Sequence, residues 1–156
     1  WQTHGLLHLQ AGPPFSPRVG FDRARISLSA EDFGQRPDFA ALPGSAIVLG
    51  DPQRYFDPLA FALPAAGFLG NLGRNAVPGP GLAALDLALH KLLWRREGHS
   101  LAFRAEVFNL ANHPNFQVPS GMALFNNRLE RLGAAGRITQ TTTPARQIQF
   151  ALKYSF

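Results

Sequence analysis

The sequence predicts an all-β chain of antiparallel strands, and three observations predict it. The last residues, RQIQFALKYSF, place an apolar side chain at every second position. Three earlier segments carry the same alternation, and the connections between segments are lopsided, one very short and two very long. Strand side chains point to opposite faces in turn, so each segment has one apolar and one polar face. On the pattern alone, that suits either a strand lying on a soluble core or a strand with lipid on one side and a water-filled lumen on the other.

The first segment covers about 1–10, with Trp1, Leu7 and Leu9 on one face and Gln2, His4, His8 and Gln10 on the other. In the second, about 82–95, Ala83, Leu85, Leu87 and Leu89 oppose Asp86, Ala88 and His90. In the third, about 101–112, Leu101, Phe103, Ala105 and Val107 oppose Arg104 and Glu106. In the fourth, about 145–156, Ile148, Phe150, Leu152, Tyr154 and Phe156 oppose Gln147, Gln149, Ala151, Lys153 and Ser155. Each has room for the roughly 9–11 residues of a tilted membrane strand. Two residues fall out of phase, Trp94 on the polar face and Lys91 on the apolar face. A bulge near residue 90 would reconcile both.

The connections tip the reading toward a membrane. REGHS, 96–100, joins the second and third segments, whereas 11–81 and 113–144 separate the others. A compact soluble domain seldom carries a structureless loop of that length. Outer-membrane barrels have short periplasmic turns and long extracellular loops. With 96–100 in the periplasm, Trp1, Leu101, Phe103, Tyr154 and Phe156 come to one membrane interface, where aromatic girdles occur. Within the long connections, RARISLS (23–29) and SAIVL (45–49) read as short strands. FNNRLERLGAAG (125–136) reads as one helical turn, from the Phe125, Leu129, Leu132 spacing.

Composition narrows the partners. The net charge is +5, but only 16% of residues are charged. Arg95-Arg96 is the one adjacent basic pair, and no basic cluster interleaves with aromatics, so no nucleic acid is expected. With no cysteine there is no disulfide and no thiolate metal site. The longest apolar run, LAFALPAAGFL at 59–69, is broken by Pro and Gly and falls short of the roughly 18 residues a membrane helix needs. Strands cross without one. The opening WQTHGLLHLQ has neither an initiator Met nor a signal segment, and reads as the start of a C-terminal piece.

No catalytic constellation emerges. His4 and His8 have the helical zinc spacing, but a strand holds them about 13 Å apart, so they read as polar side chains facing lumen water. GFLGNLGRNAVPGPG (67–81) lacks the Gly-Lys-Ser/Thr ending of a phosphate loop, and PGSAI is no nucleophile elbow. Among the carboxylates only Glu31 and Asp32 are adjacent, and no nucleophile has a base beside it. Neither enzyme activity nor a cofactor is expected. Asp86, Arg104 and Glu106, on polar faces of adjacent strands, read as lumen-wall ion pairs or as the lining of a substrate path.

Two resemblances sharpen this reading. Ile148, Phe150, Leu152, Tyr154 and Phe156 resemble the C-terminal assembly signal of bacterial outer-membrane barrels, which implies that barrel-assembly machinery reads this strand. PFSPRVGFDRA, YFDPLAFALPAAGFLGNLGRNAVPGPGL, LAFRAEVFNLANHPNF and GRITQTTTPARQIQFALKYSF together resemble the C-terminal end of TonB-dependent outer-membrane transporters. The likeness is to the Oar-like group, which carries a carboxypeptidase-regulatory-like N-terminal domain. EVFNLANH is similar to an Asn-Leu-Phe-Asn pattern of that family, with Ala111 where Phe is usual.

The resemblance implies a barrel of about 22 strands closed by a plug, of which this chain supplies about four C-terminal ones with open edges. It also implies contact with outer-membrane lipid, an unknown transported ligand, and energy from the TonB complex through an N-terminal region outside these residues. The implied location is the bacterial outer membrane. Two readings compete: a structural or adhesive outer-membrane barrel, trimeric-autotransporter-like or porin-like, and a soluble β-sandwich binding module.

Overall fold

A computed structural model describes residues 1–26, 34–42 and 44–156. The strands in chain order are β1 (Gln2–Gln10), β2 (Asp38–Phe39), β3 (Val48–Asp51), β4 (Arg54–Phe56), β5 (Phe61–Ala62), β6 (Leu82–Arg96), β7 (His99–Phe108) and β8 (Gln147–Ser155). One 3-10 turn, Pro58–Ala60, precedes β5, and the described residues contain no α-helix. The chain forms two compact units. A sheet unit comprises Trp1–Ala11, Gly81–Asn115 and Thr141–Phe156, and an insert unit comprises Gly12–Pro80 and Phe116–Gln140.

The sheet unit is a four-stranded antiparallel sheet in the order β1-β6-β7-β8. Residues opposite one another share a face, so the register sorts the side chains. One face carries the rows Gly5–Leu87–Val107–Ile148 and Thr3–Leu89–Ala105–Phe150, with Phe103–Leu152 and Leu101–Tyr154 beyond them. The other carries His4–Ala88–Glu106–Gln149 and His90–Arg104–Ala151.

Two ends of the expected strands move. The ladder between β6 and β7 continues to Arg96 and His99, so the turn is two residues, Glu97 and Gly98, not five. Both have positive φ, 48° and 89°. That is the hairpin geometry whose twist matches the flanking strands, and glycine meets it without a steric cost. At its other end β7 stops at Phe108 rather than near residue 112. Asn109 and Asn112 adopt φ of 50° and 51°, which takes the backbone out of the ladder.

The bulge also lies elsewhere than expected. Leu92 pairs with Ala102 but Trp94 pairs with Leu101, so Leu93 is the extra residue. The inserted residue flips the parity and brings Trp94 onto the apolar face beside Leu101 and Tyr154. Lys91 precedes the bulge and stays on the apolar face opposite Phe103. Its ammonium sits 4.5 Å from the centre of the Trp1 ring. A cation–π contact, not a change of register, accommodates it.

Every buried apolar side chain among the described residues lies in the insert unit. The sheet leaves Leu7, Leu9, Ile148, Phe150 and Leu152 between 55% and 72% exposed. Full burial of each would contribute about 1.5–3 kcal/mol. Five such losses match the whole stability of an ordinary domain, about 5–15 kcal/mol. This face requires an apolar surrounding.

The long connections, expected as loops with a few short elements of their own, fold together into one cored unit. Its two chain segments are knitted together: Arg18 N–H donates to Met122 O at 2.8 Å, Tyr55 N–H to Gly136 O at 2.8 Å and Ile138 N–H to Pro52 O at 2.8 Å. The core gathers Phe15, Phe56, Phe61, Leu72, Val77, Leu124, Phe125 and Ile138. Phe56 meets Phe61 edge-on at 5.8 Å, near the favoured geometry for aromatic pairs. Pro17, Pro37, Pro64 and Pro119 are fully buried and hold extended segments with φ already fixed. Arg131 clamps the far side, donating to Pro58 O at 2.6 Å and Phe61 O at 2.8 Å. Burial pushes the Tyr55 phenol above its ordinary pKa, and its hydroxyl donates to Pro78 O at 3.1 Å.

The smaller elements differ in detail from the sequence expectations. SAIVL contributes a strand displaced toward its end, β3 at Val48–Asp51, paired with β4. Arg23 to Ile26 form no strand, and the rest of RARISLS lies outside the described residues. The 125–136 stretch has no helical turn. Asn126 Oδ1 accepts from Arg128 N–H at 2.9 Å and Glu130 N–H at 3.0 Å, and Leu129 has φ of 66°. A side chain that bonds its own backbone outcompetes the helix.

Phe56→Ala opens a void in this core and costs the insert unit about 3–5 kcal/mol. Limited proteolysis in detergent is expected to cut within 12–80 and 116–140 while the sheet strands stay protected. An unchanged cleavage pattern contradicts an independently cored insert.

Candidate functional site

The candidate functional surface is the sheet itself, built from two faces of opposite chemistry. On the apolar face β8 supplies Ile148, Phe150, Leu152 and Tyr154, paired with Val107, Ala105, Phe103 and Leu101 of β7. Phe150 stacks on Phe103 with centroids 6.1 Å apart. Toward the hairpin end the ring contacts accumulate. Tyr154 stacks on His99 at 5.9 Å, its hydroxyl 2.8 Å from His99 Nδ1, and Phe156 tilts against Tyr154 at 6.1 Å. Phe156 is 94% exposed, so packing within the chain holds it weakly. Trp94 and the Trp1–Lys91 pair lie at the same end by register. The face thus runs from aliphatic to aromatic and ends in groups that bear hydrogen-bonding tips, the gradient a side chain meets between hydrocarbon and headgroups.

The polar face brings two of the three proposed lumen residues together. Arg104 forms an ion pair with Glu106 two residues along the same strand. Glu106 also accepts from Gln149 Nε2 at 3.1 Å, tying β7 to β8. Arg104 is well exposed, so the ion pair itself contributes little stability. Among the described residues Asp86 takes part in no ion pair, which departs from that expectation. Its Oδ1 accepts from Asn109 N–H at 2.8 Å. His4 and His8 share this face, opposite Ala88 and Ala84.

Asp86 belongs to a polar knot at the end of β7 that sequence reasoning missed. Asn109 is buried, and its side chain accepts from His113 N–H at 3.0 Å while donating to His113 O at 3.0 Å and Pro144 O at 3.3 Å. Asn115 is fully buried. Its Oδ1 accepts from Ala83 N–H at 2.8 Å and its Nδ2 donates to Thr143 Oγ1 at 2.9 Å. Asn112 Oδ1 accepts from Arg146 N–H at 3.0 Å. The three asparagines satisfy backbone groups where β6, β7 and β8 leave the ladder, a need that unpaired buried groups impose. The available signal was the Asn-Leu-Ala-Asn-His-Pro-Asn string, dense in residues that favour turns.

A family model described as an outer membrane beta barrel domain matches residues 1–149. The chain belongs to the outer-membrane β-barrel family. No curated protein and no solved structure matches it. The family places the protein in the bacterial outer membrane, and the sheet's faces take their meaning from that. In a membrane barrel the exposed Leu, Ile and Phe rows face lipid. A polar row such as that of Arg104, Glu106 and Gln149 is the kind of face such barrels turn to the lumen. The reading as a soluble β-sandwich is superseded.

Proposed function

We propose that the chain forms part of the wall and surface structure of a TonB-dependent outer-membrane transporter that imports a ligand. The observation that carries this reading is the asymmetry of the sheet. The connections from β1, to β6, from β7 and to β8 all leave at its Gln10, Leu82, Phe108 and Gln147 end, and they build one folded unit. The opposite end has only the two-residue turn at Glu97 and Gly98. Short periplasmic turns and elaborate extracellular segments are the pattern of outer-membrane barrels, so the insert unit faces outward and meets the ligand. The likeness of LAFRAEVFNLANHPNF and its flanking blocks to TonB-dependent transporters supports the finer assignment. Energy then comes from the TonB complex, and the remaining strands and plug come from other parts of the protein. The competing arrangement closes one pore from three copies of the four-stranded sheet.

Cross-linking in energised cells separates the two. The intact protein is expected to be recovered as a single barrel linked to the TonB complex. A detergent-resistant homotrimer with no such link overturns the transporter reading.

Phe156 serves assembly in this proposal, as the grip for barrel-assembly machinery at the end of β8. Because the ring is 94% exposed, its removal leaves folding stability nearly unchanged. The membrane-inserted, protease-resistant fraction in cells is expected to fall severalfold without it. Equal insertion with and without Phe156 contradicts the assembly role.

A further inference from the structure

We propose that the insert unit binds a small soluble solute bearing two or more phosphate or carboxylate groups, in the cleft lined by Arg18, Arg36 and Arg74. The inference concerns this unit alone and stands whether or not the barrel is energised. The cleft has a volume of about 460 Å³ and is also lined by Ser16, Gln35 and Asn75. That volume suits a small molecule, because such pockets range over roughly 300–1,000 Å³.

Three separate segments hold the arginines, and each is pinned to the core. Arg18 lies between two backbone bonds, its N–H to Met122 O at 2.8 Å and its carbonyl accepting from Leu124 N–H at 2.9 Å. Arg36 is flanked by Gln35, whose carbonyl accepts from Val19 N–H at 2.7 Å, and by Pro37, whose carbonyl accepts from Leu72 N–H at 3.1 Å. Gly70 passes so close that a Cβ there would collide with the Arg36 carbonyl oxygen. Arg74 precedes Asn75, which has φ of 53° and donates its N–H to Ser16 Oγ at 2.7 Å. The cleft is therefore formed before any ligand arrives, which lowers the cost of binding.

The electrostatics give the ligand its sign. Three other arginines of this unit are engaged: Arg131 with Pro58 O and Phe61 O, Arg23 with Pro64 O at 2.9 Å, and Arg54 with Asp57. The side chains of Arg18, Arg36 and Arg74 make no ion pair or hydrogen bond among the described residues. No described carboxylate lines the cleft. The nearby Asp22 accepts from Gln35 Nε2 and from Ile26 N–H at 3.2 Å. Three arginines lining one concavity gather like charge there, and an anion offsets their mutual repulsion. The planar guanidinium fork fits a carboxylate or phosphate through paired N–H···O bonds. Three forks call for more than one anionic group on the ligand.

The test is calorimetric titration of the intact protein in nonionic detergent at physiological ionic strength, with pyrophosphate, citrate and a neutral disaccharide. Saturable binding of pyrophosphate or citrate, with none of the disaccharide, is expected. Arg36→Gln and Arg74→Gln should each weaken it about tenfold, the loss of one charge-assisted contact. Arg128→Gln, outside the cleft, should leave it unchanged. Arg74 is exposed, so its replacement keeps the test valid if Arg36→Gln fails to fold. Four results overturn the proposal. They are no binding of either anion at millimolar concentration, binding indifferent to the arginine replacements, binding only to vesicles of anionic phospholipid, and binding that appears only after Glu31 and Asp32 are neutralised.

Discussion

A backbone N–H or C=O left unpaired in hydrocarbon costs several kcal/mol, and that constraint governs the sheet unit. β7 meets it on both sides over almost its whole length, and β6 is paired on both sides from Leu87 to His90, with β1 alone before that stretch and β7 alone after it. β1 and β8 meet it on one side only, since they are the outer strands of the sheet. In a membrane their free edges must be paired by further strands, because a barrel spans only when closed. Once the ladder is fixed, the period of two does the rest. A register slip by one residue would put Phe150 and Leu152 in the lumen and Gln149 and Lys153 in lipid.

The departures from regular pairing fall where the surroundings stop being uniform. Toward the hairpin end, the bulge at Leu93 returns Trp94 to the apolar face, and Trp1 covers the charge of Lys91. At the opposite end, the side chains of Asp86 and Asn115 accept from the backbone N–H groups of Asn109 and Ala83. Both devices let a strand leave its hydrogen-bonded register without leaving polar groups bare. The insert unit solves a different problem. It begins and ends at the sheet yet carries its own aromatic core, so its irregular backbone is held by packing and by buried prolines rather than by long strands.

The four long strands were legible in the sequence because alternation is a local signal, and β8 shows it without interruption from Ile148 to Phe156. The rest depended on non-local terms. The position of the bulge turns on which β7 residue Trp94 opposes, and nothing near Trp94 in the chain states that. Lys91 looked like an error of phase because its partner, Trp1, is distant in sequence. Asp86 carries a charge, which suggested an ion pair with Arg104, but the backbone N–H of Asn109 was invisible to residue-type reasoning. The shared core of the connections 11–81 and 113–144 was not legible, because its residues, such as Phe15, Phe56 and Leu124, follow no period. They meet only when both segments fold together. The arginine cleft was hidden for the same reason, since Arg18, Arg36 and Arg74 form no run.

The central claim is that β8 separates lipid from lumen water residue by residue. Nitroxide labels placed singly from Gln147 to Ser155, in the intact protein in bilayers, test it most directly through collision with oxygen and with a water-soluble nickel chelate. The account predicts alternation, with labels at residues 148, 150, 152 and 154 accessible to oxygen and those at 147, 149, 151 and 153 accessible to the chelate. A uniform profile, or the opposite phase, would contradict it.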